Sequence, residues 1–357
     1  MGLTNTKLIT SIFLTFIGIS LMAGSAKAAE HRALTSEKEA AIASFWQEVN
    51  EATFFTEDKV TIAYVANFKR NNAPYIVIIP GRSESYLKYQ ELAYDLDAAG
   101  YDSVIIDHRG QGLSQRLVAN HYKGYVGKFD DYAKDINQLL NDELPNLYPN
   151  KQHTQFMLAH SMGGAIALRY LQNYPNNVQS LVLSSPMIAI SSGGIPNGLA
   201  KAIVKSGAKI NQWLSDTPWY FVGQSDSNTS SFEDNKLMHS KVRYQRFQHL
   251  YQQRPELKLG GVTFNWLDQA LKANTDIFND LSKITQPVLL MQASDEYIVD
   301  NSAQDDFCQQ LHQINSKSCT EGKPQQIKGA YHELLFEIDK HRNKALNAAL
   351  AWFAKQH

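Results

Sequence analysis

One junction constrains this chain more than any other. The apolar run Phe156-Met157-Leu158-Ala159 stops at His160-Ser161-Met162-Gly163-Gly164, and a helical stretch, AIALRYLQNY, follows without a spacer. A buried strand that turns straight into a helix leaves its corner residue clear of the sheet, and here that residue is Ser161. Small residues flank such a corner because strand and helix approach closely. Ala159 stands where glycine is more usual, one methyl group larger. A serine presented in this way is a candidate nucleophile, provided a base and an oriented acid sit beside it. The alternative is an ordinary strand–turn–helix junction with an incidental serine.

The pattern on either side says what sheet the corner belongs to. Ser36 and Glu39 form an S-x-x-E capping box that opens a helix through about Val49. Lys59 to Asn67 alternates like a strand. Tyr75–Ile79, Ser103–Asp107, Ser180–Ser184 and Pro287–Gln292 are short continuous apolar runs of the kind buried parallel strands show. Helical periodicity runs through Leu87, Leu92 and Leu96 to a stop at Gly100, and again from Asp130 to Leu140. A short strand is expected near Gln325 to Lys328. Strands alternating with helices at this spacing predict an α/β fold with a mostly parallel sheet, whose chemistry gathers at the carboxyl ends of the strands. Between Met187 and Ile284 the alternation lapses into Gly193-Gly194, helical pieces and the large aromatics Trp213, Trp219, Tyr220, Phe221 and Trp266. That stretch reads as a cap inserted over the strand ends.

Composition narrows the setting. Hydrophobic residues make up 43% of the 357, enough for a sizeable core, and the formal net charge of −1 with no dense Lys/Arg run argues against a nucleic-acid partner. Residues 1–28 read as an export signal: Lys7 gives a weakly positive start, Leu8 to Ala26 carries no charge, and Ala26-Lys27-Ala28 supplies the small residues of a cleavage site. Removing Lys7 and Lys27 leaves 32 basic and 35 acidic residues, a net charge of −3, over residues 29–357. An uncleaved membrane anchor is the competing reading. In either case the bulk of the chain meets an oxidising compartment, periplasmic or extracellular. The two cysteines, Cys308 and Cys319, would there form a bridge or remain separate thiols; spacing does not decide. No metal-ligand spacing is present, and no cofactor is expected.

The base and acid come from the last third. His332, in GAYHELLF, follows the last strand, where a loop returns it to the catalytic edge of the sheet. QASDEYIVDN follows the Pro287–Gln292 strand and offers three acids, Asp295, Glu296 and Asp300. The frame of Glu296, ahead of Tyr297-Ile298-Val299, makes it the favoured one, with Asp295 as the alternative. The order serine, acid, histidine is characteristic of one fold among those that use this trio. Acyl transfer also needs donors for the oxyanion. The N–H of Met162 supplies one, and the N–H of Arg82, in the Pro80-Gly81-Arg82 turn after Tyr75–Ile79, the other, with Gly81 permitting the tight turn. Asp107 to Ser114 (DHRGQGLS) lacks the Lys-Ser/Thr ending of a phosphate loop and reads as a turn buttressing the site.

Five blocks carry a family resemblance: PGRSESYLKYQELAYDL, IIDHRGQGLSQR, LAHSMGGAIALRYLQNYP, VLLMQASDEYIVDN and IKGAYHELLFEID. Together the chain resembles the bacterial lysophospholipase group in the monoacylglycerol-lipase branch of the α/β-hydrolases, with a proline before Gly81 where generic esterases have histidine. The resemblance implies a sheet flanked by helices with a mainly helical cap at about 187–284. It also implies Ser161 as nucleophile, Glu296 as acid, His332 as base, oxyanion donors at Arg82 and Met162, and an acyl-glycerol ester as substrate. The expected activity is hydrolysis of lysophospholipids or monoacylglycerols, with the cap aromatics resting against a membrane surface. A peptidase or short-chain carboxylesterase on the same fold is one alternative, a non-catalytic binding protein on that scaffold another.

Overall fold

The computed structural model describes residues 34–149, 151, 154–191, 197–227 and 230–357, so the expected export segment and the Gly193-Gly194 pair lie outside the described residues. The chain divides into two units, Met1–Ala41 and Ile42–His357. In the first, the described residues open helix α1 (Ser36–Trp46). Its cap lies one residue earlier than expected. The Thr35 hydroxyl accepts the Lys38 N–H at 3.2 Å, which makes Thr35 the cap and Ser36 the first helical residue.

The second unit holds an eight-stranded sheet: β1 (Asn50–Phe55), β2 (Thr61–Asn67), β3 (Tyr75–Ile79), β4 (Asp102–Ile106), β5 (Gln155–His160), β6 (Val178–Ser184), β7 (Val288–Ala293) and β8 (Gln325–Ile327). Their spatial order is β1-β2-β4-β3-β5-β6-β7-β8. Only β2 runs against its neighbours; every pair from β4 to β8 is parallel. Sequence reading misses β1 altogether. It is a six-residue edge strand in which Ala52 and Phe54 face the core, an alternation too short to stand out.

Register explains why the polar motifs meet. Ile79 pairs with Ala159, His160 with Ser184, Ser184 with Met291, and Ala293 with Ile327. The carboxyl ends of β3, β5, β6 and β7 therefore lie side by side, and the segments that follow them leave from one edge. Alternate residues of these strands face opposite sides. Val77, Ile79, Met157 and Ala159 join one apolar cluster with Ile136 and Ile166, from helices α3 (Asp130–Gln138) and α4 (Met162–Asn173). Ile76, Ile78, Phe156 and Leu158 join the other with Leu92 and Leu96, of helix α2 (Gln90–Ala98). Both faces are covered, which is why these strands read as continuous apolar runs.

Between β6 and β7 the chain lays down helices α5 (Asn197–Leu214), α6 (Lys241–Gln253) and α7 (Phe264–Asn279). After β7 come α8 (Asn301–Ile314) and, following β8, α9 (Asp339–Gln356). Cys308 of α8 is bonded to Cys319, and both are buried. The Cys319 N–H donates to the Val288 carbonyl at 2.7 Å, so the bridge pins the chain after α8 to the start of β7. Replacing both cysteines by alanine is expected to cost about 2–4 kcal/mol of stability. Denaturant unfolding checks this: a lowered midpoint with retained turnover per folded molecule is the expected outcome.

Candidate active site

Ser161 sits between β5 and α4 with φ 52° and ψ −120°, a region L-residues rarely occupy and which costs on the order of 1–3 kcal/mol. Neighbours hold it there. Its N–H donates to the Ser184 carbonyl at 3.0 Å, and its carbonyl accepts the Met187 and Gly164 N–H groups, each at 2.9 Å. The two glycines after Met162 are required by space. A Cβ on Gly163 would lie 2.1 Å from the Ile79 carbonyl oxygen, and one on Gly164 would lie 2.6 Å from the Pro186 side chain. The start of α4 is thus pressed against the end of β3.

His332 lies within hydrogen-bond reach of both expected partners. Its Nε2 is 2.9 Å from Ser161 Oγ, and its Nδ1 is 2.8 Å from Glu296 Oε2. With the Nδ1–H donated to the carboxylate, Nε2 presents its lone pair to the serine hydroxyl. The second oxygen of Glu296 accepts the N–H groups of Tyr297 at 3.0 Å, Ile298 at 2.7 Å and Val299 at 3.3 Å. Burial raises the Glu296 carboxyl, but the hydrogen bond and charge of His332, with the backbone donors, outweigh it and hold the group below the ordinary range. Asp295, the alternative acid, is exposed and accepts a hydrogen bond from the Ser294 hydroxyl at 2.8 Å. Its carboxylate is thus engaged on the exposed side of the bend, while that of Glu296 meets His332.

Met162 is the first residue of α4, where a backbone N–H has no carbonyl one turn back. Arg82 lies in the turn after β3, against which α4 is pressed. Gly81 serves that turn differently from expectation. The left-handed residue is Ser83, φ 64°, while Gly81 is needed for room: a Cβ there would be 3.0 Å from a Glu84 carboxylate oxygen and 3.2 Å from the His160 ring. The Asp107–Ser114 turn holds this segment from behind. His108 Nε2–H donates to the Pro80 carbonyl at 3.0 Å, and the Gln111 amide donates to the carbonyls of Gly81 at 2.8 Å and Glu84 at 3.1 Å. The Asp107 carboxylate takes the Ser85 hydroxyl at 2.9 Å and the Tyr86 N–H at 2.5 Å. Burial drives the His108 imidazole down to about 4, which keeps it neutral. The Arg82 side chain reaches the other way, donating to the Gly260 carbonyl and lying 5.4 Å from the Trp266 ring centre, and so ties the turn to the β6–β7 segment.

A buried polar group beside the histidine escapes sequence reading: Glu84, Lys88, His160 and Glu333. The only signal was local, a Glu–Lys pair four residues apart and an acid directly after His332. His160 donates Nδ1–H to the Ser184 carbonyl at 3.1 Å, and burial lowers it to about 4. Beyond Met187, which is hydrogen-bonded to Ser161, an apolar cavity of about 340 Å³ opens among Ile188, Ile190, Phe221, Leu267, Leu271 and Phe278.

This arrangement can move a proton from Ser161 to His332 while the oxygen attacks a carbonyl, with α4 and the β3 turn flanking the developing charge. Comparison with known proteins points the same way. A family model described as serine aminopeptidase, S33, matches residues 70–339. The chain is 36% identical over 320 residues to lysophospholipase L2 of Escherichia coli (strain K12), covering 88% of this chain and 91% of that one. It is 26% identical over 282 residues to monoglyceride lipase of Mus musculus, covering 78% and 81%. A solved structure of a soluble variant of the Saccharomyces cerevisiae monoglyceride lipase superposes with a TM-score of 0.66 at 20% identity, covering 87% of this chain and 94% of that one. Glu296→Gln is expected to lower kcat about 10³- to 10⁴-fold, by loss of the acceptor that orients the imidazole. Asp295→Asn should stay within about threefold of wild type by the same reasoning, and steady-state kinetics on one ester checks both.

Proposed function

The chain belongs to the serine aminopeptidase S33 family, in its lysophospholipase and monoacylglycerol-lipase branch of the α/β-hydrolases, and from that premise we propose a lipid-ester hydrolase working through an acyl-enzyme on Ser161. It is a carboxylic ester hydrolase. His332 takes the Ser161 proton as the oxygen attacks the ester carbonyl, and Glu296 stabilises the imidazolium. The N–H groups of Met162 and Arg82 bind the oxyanion. His332 then gives its proton to the leaving alcohol and activates the water that releases the fatty acid. The observation that carries this reading is the unbroken chain Ser161–His332–Glu296, at 2.9 and 2.8 Å.

The substrate is a single-chain lipid, a lysophospholipid ahead of a monoacylglycerol. The apolar cavity beside Met187 suits one acyl chain, and the relative at 36% identity is named a lysophospholipase whereas the one at 26% is named a monoglyceride lipase. An aminopeptidase site would need an acid for the substrate ammonium; among the described residues the only charged one lining that cavity is Lys201. The cap meets the lipid surface through α5. This helix exposes Leu199, Ile203, Ile210, Leu214 and Trp213, the last 84% exposed, beside Lys201, Lys205 and Lys209, and carries no acid. Apolar residues flanked by lysines fit an anionic bilayer surface. Release of fatty acid from lysophospholipid in anionic vesicles, against a soluble short-chain ester, tests both points. Ser161→Ala should lower turnover on either by at least about 10⁴-fold. Trp213→Ser should lower the vesicle-to-soluble activity ratio at least about threefold, by loss of buried apolar area. An unchanged ratio refutes the surface contact.

The enzyme is exported, to the periplasm or the medium, with residues 1–28 removed. The Cys308–Cys319 bridge supports an oxidising compartment. The mature protein is expected to begin at Ala29; N-terminal sequencing that instead finds Met1 shows a retained anchor.

A further inference from the structure

The buried group beside His332 is built around one lysine. Glu84, Lys88 and Glu333 have side chains 5%, 4% and 7% exposed. Lys88 Nζ donates to Glu84 at 2.5 Å and to Glu333 at 2.6 Å, and lies 4.4 and 4.5 Å from the ring centres of Phe247 and Phe336. The ligand atoms of Glu84, His160 and Glu333 fall within 4.8 Å of one another, a spacing a divalent cation accepts. The ammonium of Lys88 already stands between the two carboxylates, so the cation of this cluster is the protein's own.

What the two acids hold matters more than the pairs themselves. Glu84 also accepts the Gly81 N–H and the Tyr89 hydroxyl, each at 2.5 Å, so it fixes the peptide next to Arg82. Glu333 follows His332 directly, and its N–H donates to the Leu237 carbonyl at 2.8 Å. The His160 ring fills the space between, 4.0 Å from Glu84 and 5.0 Å from the His332 ring centre. Burial raises the Glu84 carboxyl, but Lys88 and His160 overcome this and hold it at about 2, an anion at any working pH. A buried ion triad is weak evidence of stability, since apolar replacements of similar volume serve as well, and its retention calls for another role.

We propose that Lys88 is a positioning residue for acyl transfer: by bridging Glu84 and Glu333 it sets the distance between the oxyanion turn after β3 and the loop carrying His332. The two loops come from opposite ends of the chain, and no strand pairing joins them directly. Lys88 makes one carbonyl position serve both the donors and the base. This inference rests on the acyl-enzyme reading.

The test uses full-length Lys88→Met and Lys88→Arg with a soluble aryl ester, folding being verified by circular dichroism and thermal melting. Lys88→Met is expected to lower kcat about 100-fold with KM within about threefold, as for a misplaced catalytic group. Lys88→Arg, which keeps a cation with donors for both carboxylates, should give a kcat at least about tenfold above that of Lys88→Met. If Lys88→Met does not fold, Glu84→Gln decides, with the same split between kcat and KM expected. A kcat within about twofold of wild type, a rise in KM alone, or Arg no better than Met overturns the clamp. Ser161→Ala, run in parallel, separates the two failures: surviving turnover there removes the acyl-enzyme reading itself, whereas abolished turnover beside a normal Lys88→Met removes only the clamp.

Discussion

The left-handed corner at Ser161 is the constraint on which the rest of this structure turns. A serine at φ 52° is unfavourable in isolation, and it persists because Ser184, Met187 and Gly164 hold its N–H and carbonyl. Gly163 and Gly164 let the helix start against the Ile79 carbonyl and Pro186, where no Cβ would fit. The hydroxyl is thereby held away from the sheet, while the first free N–H groups of the helix stand beside it. Strain, helix terminus and nucleophile are one local structure.

Beside that corner, protein partners hold much of the turn after β3. The turn after β3 has its carbonyls satisfied by His108 and Gln111, its N–H groups by Glu84, Asp107 and Gln111, and its Tyr251 contact through the Ser83 carbonyl at 2.9 Å. With these donors and acceptors paired, the turn is held in one geometry. Preorganised donors of this kind stabilise an oxyanion without reorganising when charge develops. The same logic applies at Glu296, whose second oxygen is occupied by three backbone N–H groups, leaving the first to face the imidazole.

The β6–β7 segment adds what a bare sheet edge lacks. It brings Phe221, Leu267 and Phe278 over the carboxyl edge to make an apolar cavity, and it is tied down by Arg82 at Gly260, by Tyr251 at Ser83, and by Asn274 at the Met187 carbonyl, 2.7 Å. Each tie runs to a residue in or next to the reacting corner. Cavity and chemistry are therefore mechanically connected.

Much of this was legible in the chain. Continuous apolar runs located β3 to β7 because burial on both faces leaves no choice of residue type, β2 was read from its alternation, and Ser161, Glu296 and His332 stood out because each follows an expected strand. β1 was missed because its alternation rests on two core-facing residues, Ala52 and Phe54. The cap of α1 moved by one residue because Thr35 and Ser36 are chemically alike at that position. What only the tertiary structure decided was distance: that Glu296 rather than Asp295 meets the imidazole, that Gly81 is a matter of room rather than of φ, and that Lys88 finds Glu333 across the fold. Local periodicity records which face of an element is buried, whereas contacts between loops depend on strand order and register, which the chain specifies only once all of it has folded.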